Sequence, residues 1–340
     1  MSCDPGPKPL GILALSEALS DKKDSAVSYA GPTRFRSAAS DDYLAFKDAA
    51  ISYVANLAPG DRRGLIEKPL DWQPGHPSYF TAMLQLLGAL QALGLPPGAR
   101  IVEVGSGAGW TTEILASLWY RVDCVEPSRE MIRVAQRRVR EYLRLRGNEH
   151  FHRRVTWQSA TMEEARLQPA SADAVIYFES FHHVVDERAV LERTLDVLRP
   201  GGQIVILGDS NWIPGNAEQE AAWNAEMAAY GTLESPFTDG YLTWLLAEKG
   251  FVDVRRCHLA NGLVPTERET EPVKSFALLD AAWVNLVMAR KPATDHPSAH
   301  DAEYPYGRPL EDKPPNSAGD RVRRVMARCL RNLADEISGR

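Results

Sequence analysis

The sequence predicts an α/β fold, a doubly wound and mostly parallel sheet flanked by helices, and three observations predict it. Short apolar runs recur as candidate strands at Arg100–Val104, Arg121–Glu126, Val155–Gln158, Ala174–Tyr177 and Gln203–Leu207. Helical stretches beginning near Gly109, Ser128, Met162 and Glu187 alternate with them, the pattern of a parallel sheet covered on both faces. The first candidate strand runs straight into a glycine-rich turn, Gly105-Ser106-Gly107-Ala108-Gly109. Bare backbone at a helix N-terminus lets a nucleotide-like ligand come very close.

Each strand has its reason. Ile101, Val102 and Val104 read as a buried strand, and the helix opened by the glycines continues through Thr111, Thr112, Ile114 and Leu115. The second strand, Val122 to Val125, ends in Glu126, placed where a carboxylate grips a ribose diol. Spacing separates two cofactors. A dinucleotide fingerprint needs G-x-G-x-x-G, but here the third glycine comes one residue early and position 110 is Trp. Glu103, ahead of the first glycine, repels a pyrophosphate and suits an ammonium. A ligand with ribose, adenine and ammonium but no phosphate is S-adenosyl-L-methionine.

On these residues the chain resembles the class I S-adenosylmethionine-dependent methyltransferases, whose first motif reads acid-x-Gly-x-Gly-x-Gly. The resemblance covers about residues 98–291 and implies a Rossmann-like sheet of seven strands. The end of the core fits, with a helix Tyr241–Lys249 closed by Gly250, strands at Phe251–Leu259 and Trp283–Ala289, and an approach segment at Phe276–Asp280. Two closing strands without a long crossover suggest a final antiparallel pair. The resemblance implies that Gly105, Ser106, Gly107, Gly109 and Pro127 line the cofactor, that Glu103 senses its ammonium and that Glu126 holds its ribose. The third motif departs from the family: Ala160 and Thr161 stand where Gly-Asp is common, leaving Thr161 one acceptor oxygen and Met162 to clamp the adenine. Leu198–Gly202 (L-R-P-G-G) matches the family's turn before the fifth strand.

Strands four and five are neighbours in the resembled fold, so the segments after them face one pocket. The fourth is followed by Glu179, Ser180, Phe181, His182 and His183, the fifth by Asp209 and Ser210. An imidazole fixed by a carboxylate is a competent base near neutral pH. His183 with Asp209 is the expected base pair, with His182 beside it and Glu179 on the methionine moiety or a substrate hydroxyl. The competing reading has the two histidines cap the next helix. Residues 211–237 are the expected substrate lid, with Trp212, Trp223 and Tyr230 facing the acceptor and His76 on the opposite wall.

The expected activity is methylation of a hydroxyl on a small molecule, a sugar or a glycan. The alternatives are an N- or C-methyltransferase, or an inactive cofactor-binding partner subunit. With 340 residues, 44% of them hydrophobic, and a net charge of -6, the composition is that of an ordinary globular protein and not of a general nucleic-acid binder. The arginines from Arg133 to Arg154 read as a solvated helix face rather than an RNA surface. Cys3, Cys124, Cys257 and Cys329 form no C-x-x-C, and His150 and His152 have no third ligand nearby, so no metal is expected. The apolar run Leu10–Leu15 is too short to span a membrane, and a cytoplasmic location follows by default. Residues 1–97 form an N-terminal extension, loosely ordered to about residue 40, with helices near 42–57 and 79–93 joined through the link 68–77. Residues 292–340 form a Pro-rich linker and a helix, Arg321–Ile337, that docks on this core or on another subunit, a route to a homo-oligomer.

Overall fold

A computed structural model describes residues 33–37, 40, 78–145, 154–238, 240–257 and 285–293. The chain divides into two units, 1–293 and 294–340, and all described residues lie in the first. The helix expected at 42–57, the link with His76, and the terminal linker and helix from 294 onward lie outside the described residues.

Described elements begin with α1 (Ser78–Leu93), β1 (Arg100–Val104), α2 (Trp110–Ser117), β2 (Arg121–Val125) and α3 (Arg129–Leu145). Next come β3 (Val155–Gln158), β4 (Ala172–Phe178), a 3-10 turn (Phe181–His183), α4 (Glu187–Val197) and β5 (Leu198–Asp209). The order ends with α5 (Ala217–Tyr230), α6 (Tyr241–Glu248), β6 (Val252–Arg256) and β7 (Asn285–Arg290). They form a seven-stranded sheet in the order β3-β2-β1-β4-β5-β7-β6. β1 pairs parallel with β2 and β4, while β7 runs antiparallel to both β5 and β6, the closing pair the sequence suggested.

Both faces of the sheet are buried, which is why its strands read as near-continuous apolar runs. Along β1, Ile101 faces one cluster with Leu86, Leu115 and Val122, while Val102 and Val104 face the other with Tyr177, Leu191 and Leu245. Each such side chain fully buried contributes roughly 1.5–3 kcal/mol. α1 turns Leu86, Ala89, Leu90 and Leu93 inward and leaves Leu84 and Leu87 exposed, a helical spacing of three and four. It ends at Gly94, and the Gln203 amide donates to the Leu93 carbonyl at 3.0 Å. α3 buries Met131, Ile132, Ala135 and Val139 and exposes Arg133, Arg137 and Arg140, so on this helix the basic run is a solvated face.

Three local expectations change. No helix forms near Met162, where the chain makes one turn, with Ala165 N–H donating to the Thr161 carbonyl at 3.0 Å. Arg193 draws the Ala165 and Leu167 carbonyls (3.0 and 2.8 Å), and Gln158 pairs with the Arg166 backbone, so side chains satisfy the groups a helix would use. β5 starts early, at Leu198, because the L-R-P-G-G turn is a bulge inside the strand, Leu198 facing Ala172 and Gln203 facing Ala174. Residues 33–37, expected to be loosely ordered, are built into the fold: Phe35 N–H donates to the Pro236 carbonyl at 2.8 Å, and Arg34 bridges Phe237. No helix among the described residues is long and apolar enough to cross a membrane.

Gly109 caps α2 at φ 81°, and a Cβ there would lie 2.6 Å from the Ala135 Cβ of α3. Gly109→Ala is expected to cost about 1–3 kcal/mol through backbone strain and this collision. Denaturant unfolding reads it out, and an unchanged midpoint would contradict the packing.

Candidate active site

The strand order reverses between β1 and β4, and ligands of doubly wound sheets bind outside the carboxyl ends of strands at such a point. A cavity of about 710 Å³ opens there. Gly105 (φ 75°) holds the two strand ends together: a Cβ on it would sit 2.5 Å from the Ser180 Cβ, and Ser180 Oγ donates to the Val104 carbonyl at 2.8 Å. Glu126 accepts from Gly107 N–H at 3.0 Å through one oxygen and from Ser128 N–H at 2.9 Å through the other. Burial raises its carboxyl above the ordinary range, and these two N–H groups oppose that. Each oxygen keeps a lone pair for a further donor. Beside it, the buried Ser106 hydroxyl has no partner among the described residues. A carboxylate able to accept two hydroxyls, next to an unspent hydroxyl and side-chain-free backbone, fits the ribose end of a nucleoside.

Gly105, Ser106, Gly107, Glu126, Pro127, Thr161, Met162, Glu179, His182, His183 and Trp223 all line this cavity. Others expected there do not. Glu103 is buried behind it, accepting from Thr111 and Thr112, because alternation along β1 turns it toward α2. Burial outweighs those two hydrogen bonds and raises its carboxyl to about 7. Gly109 serves the α2–α3 contact instead. Trp212 packs on Phe35 (centroids 5.3 Å) and donates to Glu220 at 3.2 Å, and Tyr230 is not among the cavity residues. The excursion from β5 to α6 is closed at its base, Trp212 N–H donating to the Phe237 carbonyl at 2.8 Å.

The base pairing also changes. Asp209, fully buried, pairs with His182 rather than His183, accepting from His182 N–H at 3.0 Å and bonding its Nδ1. The other nitrogen of His182 lies 3.3 Å from Glu234 Oε2. Burial opposes charge on this imidazole, but the hydrogen bonds and charges of Asp209 and Glu234 outweigh it and push it up to about 10. His183 Nδ1 instead lies 2.8 Å from the Leu233 carbonyl. A carbonyl only accepts, so Nδ1 carries the proton and Nε2 the lone pair. Burial holds His183 below the ordinary imidazole range; Glu234 raises it and charged His182 lowers it. Backbone strain concentrates here too, with Glu179 at φ 48° against Gly208 at φ 85°. Glu226, an exposed residue at the cavity's open side, has its carboxyl pushed up to about 7 by desolvation and by Glu234.

Sequence reasoning missed Glu234. No motif surrounds it, and it meets the histidines across about fifty residues of chain. Among the described residues, His182, His183 and Glu234 are also the group whose donor atoms lie close enough to hold a metal ion, all within 4.8 Å. In this arrangement Asp209 and Glu234 already engage both nitrogens of His182.

Residues 102–206 match the family model described as a methyltransferase domain. Over that segment the chain is similar to class I methyltransferases, which take their methyl group from S-adenosylmethionine. Curated relatives include a ubiquinone biosynthesis O-methyltransferase from Xanthomonas campestris pv. campestris (strain B100), 32% identical over 111 residues, covering 32% of this chain and 43% of that protein. The protein of that description from Xylella fastidiosa (strain 9a5c) is 32% identical over 110 residues, covering 32% and 41%. This chain therefore spans less than half the length of these two relatives. Among solved structures, geranyl diphosphate C-methyltransferase from Streptomyces coelicolor A3(2) is similar, with TM-score 0.49 and 18% identity over 75% of this chain and 98% of that one.

Asp209→Asn removes a charged partner of His182 and is expected to cost about 1.5–3 kcal/mol at neutral pH. An imidazole raised on folding contributes its full stability below pH ~6.5 and loses it as pH rises toward about 10. Unfolding free energies measured across that window are expected to fall for the wild type and to flatten in the variant; parallel curves would sink the assignment.

Proposed function

We propose that this chain is an S-adenosylmethionine-dependent O-methyltransferase acting on a hydroxyl of a small molecule, sugars and other natural-product hydroxyls included. One observation carries the reading: the ribose-competent carboxylate Glu126, after β2, and the imidazole of His183, after β4, line the same cavity from either side of β1. The description of the relatives as O-methyltransferases supports oxygen as the acceptor atom.

When bound, the cofactor supplies an electrophilic methyl on a sulfonium with a neutral thioether as leaving group. The chain's part is placement and proton removal. Glu126 and the Ser106–Gly107 backbone orient the nucleoside. Met162, buried to 2% exposure, and Thr161 bound the adenine end. His183 Nε2 would accept the acceptor's hydroxyl proton during the transfer. Glu234 Oε1, 3.4 Å from His183 Nδ1, offsets the positive charge that arrives on the ring. His182, held protonated between two carboxylates, is no base at neutral pH; it and Asp209 anchor the turn that presents His183.

Two outcomes test this. Glu126→Gln is expected to weaken S-adenosylhomocysteine binding about 10–100-fold, the loss of charge-assisted hydrogen bonds, in isothermal titration calorimetry. Undiminished heat in that variant would overturn the cofactor assignment. His183→Ala is expected to slow methyl transfer to a panel of phenol and sugar acceptors about 10²–10⁴-fold with cofactor affinity kept. Because burial lowers the His183 pKa, wild-type turnover should hold down to pH ~6.5 and fall only below it. A rate unchanged in the variant would remove the base.

A further inference from the structure

The segment 33–37 carries one fully inserted cation. Arg34 is 5% exposed, and its guanidinium reaches three separate pieces of chain. One terminal nitrogen donates to Glu187 Oε2 at the start of α4 (2.8 Å). The other donates to the His182 carbonyl at 2.8 Å, and Nε donates to the Ser235 carbonyl at 3.1 Å. The plane lies over the Phe237 ring, 5.3 Å from its centroid, and Tyr241 donates to the second oxygen of Glu187 at 2.7 Å. The neighbouring backbone locks the same loop: Thr238 N–H donates to the Thr33 carbonyl at 2.9 Å, and Thr33 N–H to Thr238 Oγ1 at 2.8 Å.

The two carbonyls Arg34 holds belong to His182 and to the residue after Glu234. The side chains of His182 and Glu234 form the imidazole–carboxylate contact of the cavity, 3.3 Å apart. Nothing in the sheet fixes that separation, because His182 follows β4 while Glu234 sits in the loop after α5. We propose that Arg34 is a positioning residue of the methyl-transfer centre: its rigid fork sets the spacing between the turn bearing His182 and His183 and the loop bearing Glu234. A lysine carries the charge but offers no planar, multi-donor geometry to serve three acceptors at fixed angles. The N-terminal extension is then part of the active centre, although neither Arg34 nor Phe35 is among the residues lining the cavity. The inference rests on the reading of the His182–His183–Glu234 cluster as the proton-accepting centre.

The test follows the imidazoles directly. Full-length wild type, Arg34→Lys and Glu187→Asp are labelled at histidine, and ring resonances are titrated by NMR. The groups facing His182 are Asp209, Glu234, His183 and Glu226. All of them stay in place, and both substitutions keep the charge at the altered position, so a change in the His182 midpoint reports geometry. Arg34→Lys is expected to lower that midpoint by about one unit or more. Methyl transfer is expected to drop about 10–100-fold through kcat, with S-adenosylhomocysteine affinity unchanged. Glu187→Asp, which keeps the charge but shortens the reach to Arg34, should shift His182 the same way by less, and it decides the matter if the lysine variant does not fold. Wild-type midpoints in every folded variant would overturn the positioning role. Failure of the wild type to bind S-adenosylhomocysteine would instead overturn the proposed activity, and the titration would still judge Arg34.

Discussion

The ends of β1 and β4 approach so closely that residue 105 has no room for even one carbon beyond its backbone. Everything at the site depends on that approach. It brings the glycine loop, proposed to cradle a nucleoside, against the segment that carries the two histidines, with the Ser180 side chain packed between them. The same closeness recurs one strand along, where Gly208 leaves space for Glu179 in a left-handed conformation. These two glycines let neighbouring crossover segments share a single cavity instead of opening two shallow ones.

Charge is arranged around that cavity by burial as much as by contact. Three carboxyl groups near it, Glu103, Glu126 and Glu226, are pushed toward their neutral forms by desolvation. Glu234 goes the other way: burial opposes ionisation, but the two imidazoles outweigh it and hold its carboxyl below the ordinary range. The histidine pair is split by the same logic. Two rings with centroids 3.9 Å apart cannot both carry charge cheaply, and the one with two carboxylate partners takes it. That division favours the neutral form of its neighbour, the state the proposed base requires.

Much of this was legible in the sequence, for identifiable reasons. The strands β1, β2 and β3 announced themselves through short apolar runs, and Glu126 through its place at the end of the second. Those signals are local. What escaped were relations between distant segments. Asp209 pairs with His182 because the 3-10 turn aims the first ring, not the second, at the end of β5, and no spacing rule encodes that aim. Glu103 looked exposed to ligand because the motif was read as a string; strand alternation sends it inward to two threonines. Residues 33–37 fall in a stretch whose composition suggests loose order, yet one arginine there is bound on three sides. Glu234 had no motif at all.

The excursion between β5 and α6 leaves and rejoins the sheet at touching backbone, with Asn211 and Trp212 bridged to Phe237. A segment whose ends already meet places little entropic demand on the scaffold when it lengthens or shortens. Trp223 and Glu234, which shape the acceptor side, ride on that segment, whereas Glu126 and the glycine loop do not. On the proposed reading, the molecule is thereby divided into a socket for the nucleoside and a separable cassette, so that the acceptor side could be exchanged while the socket is left intact.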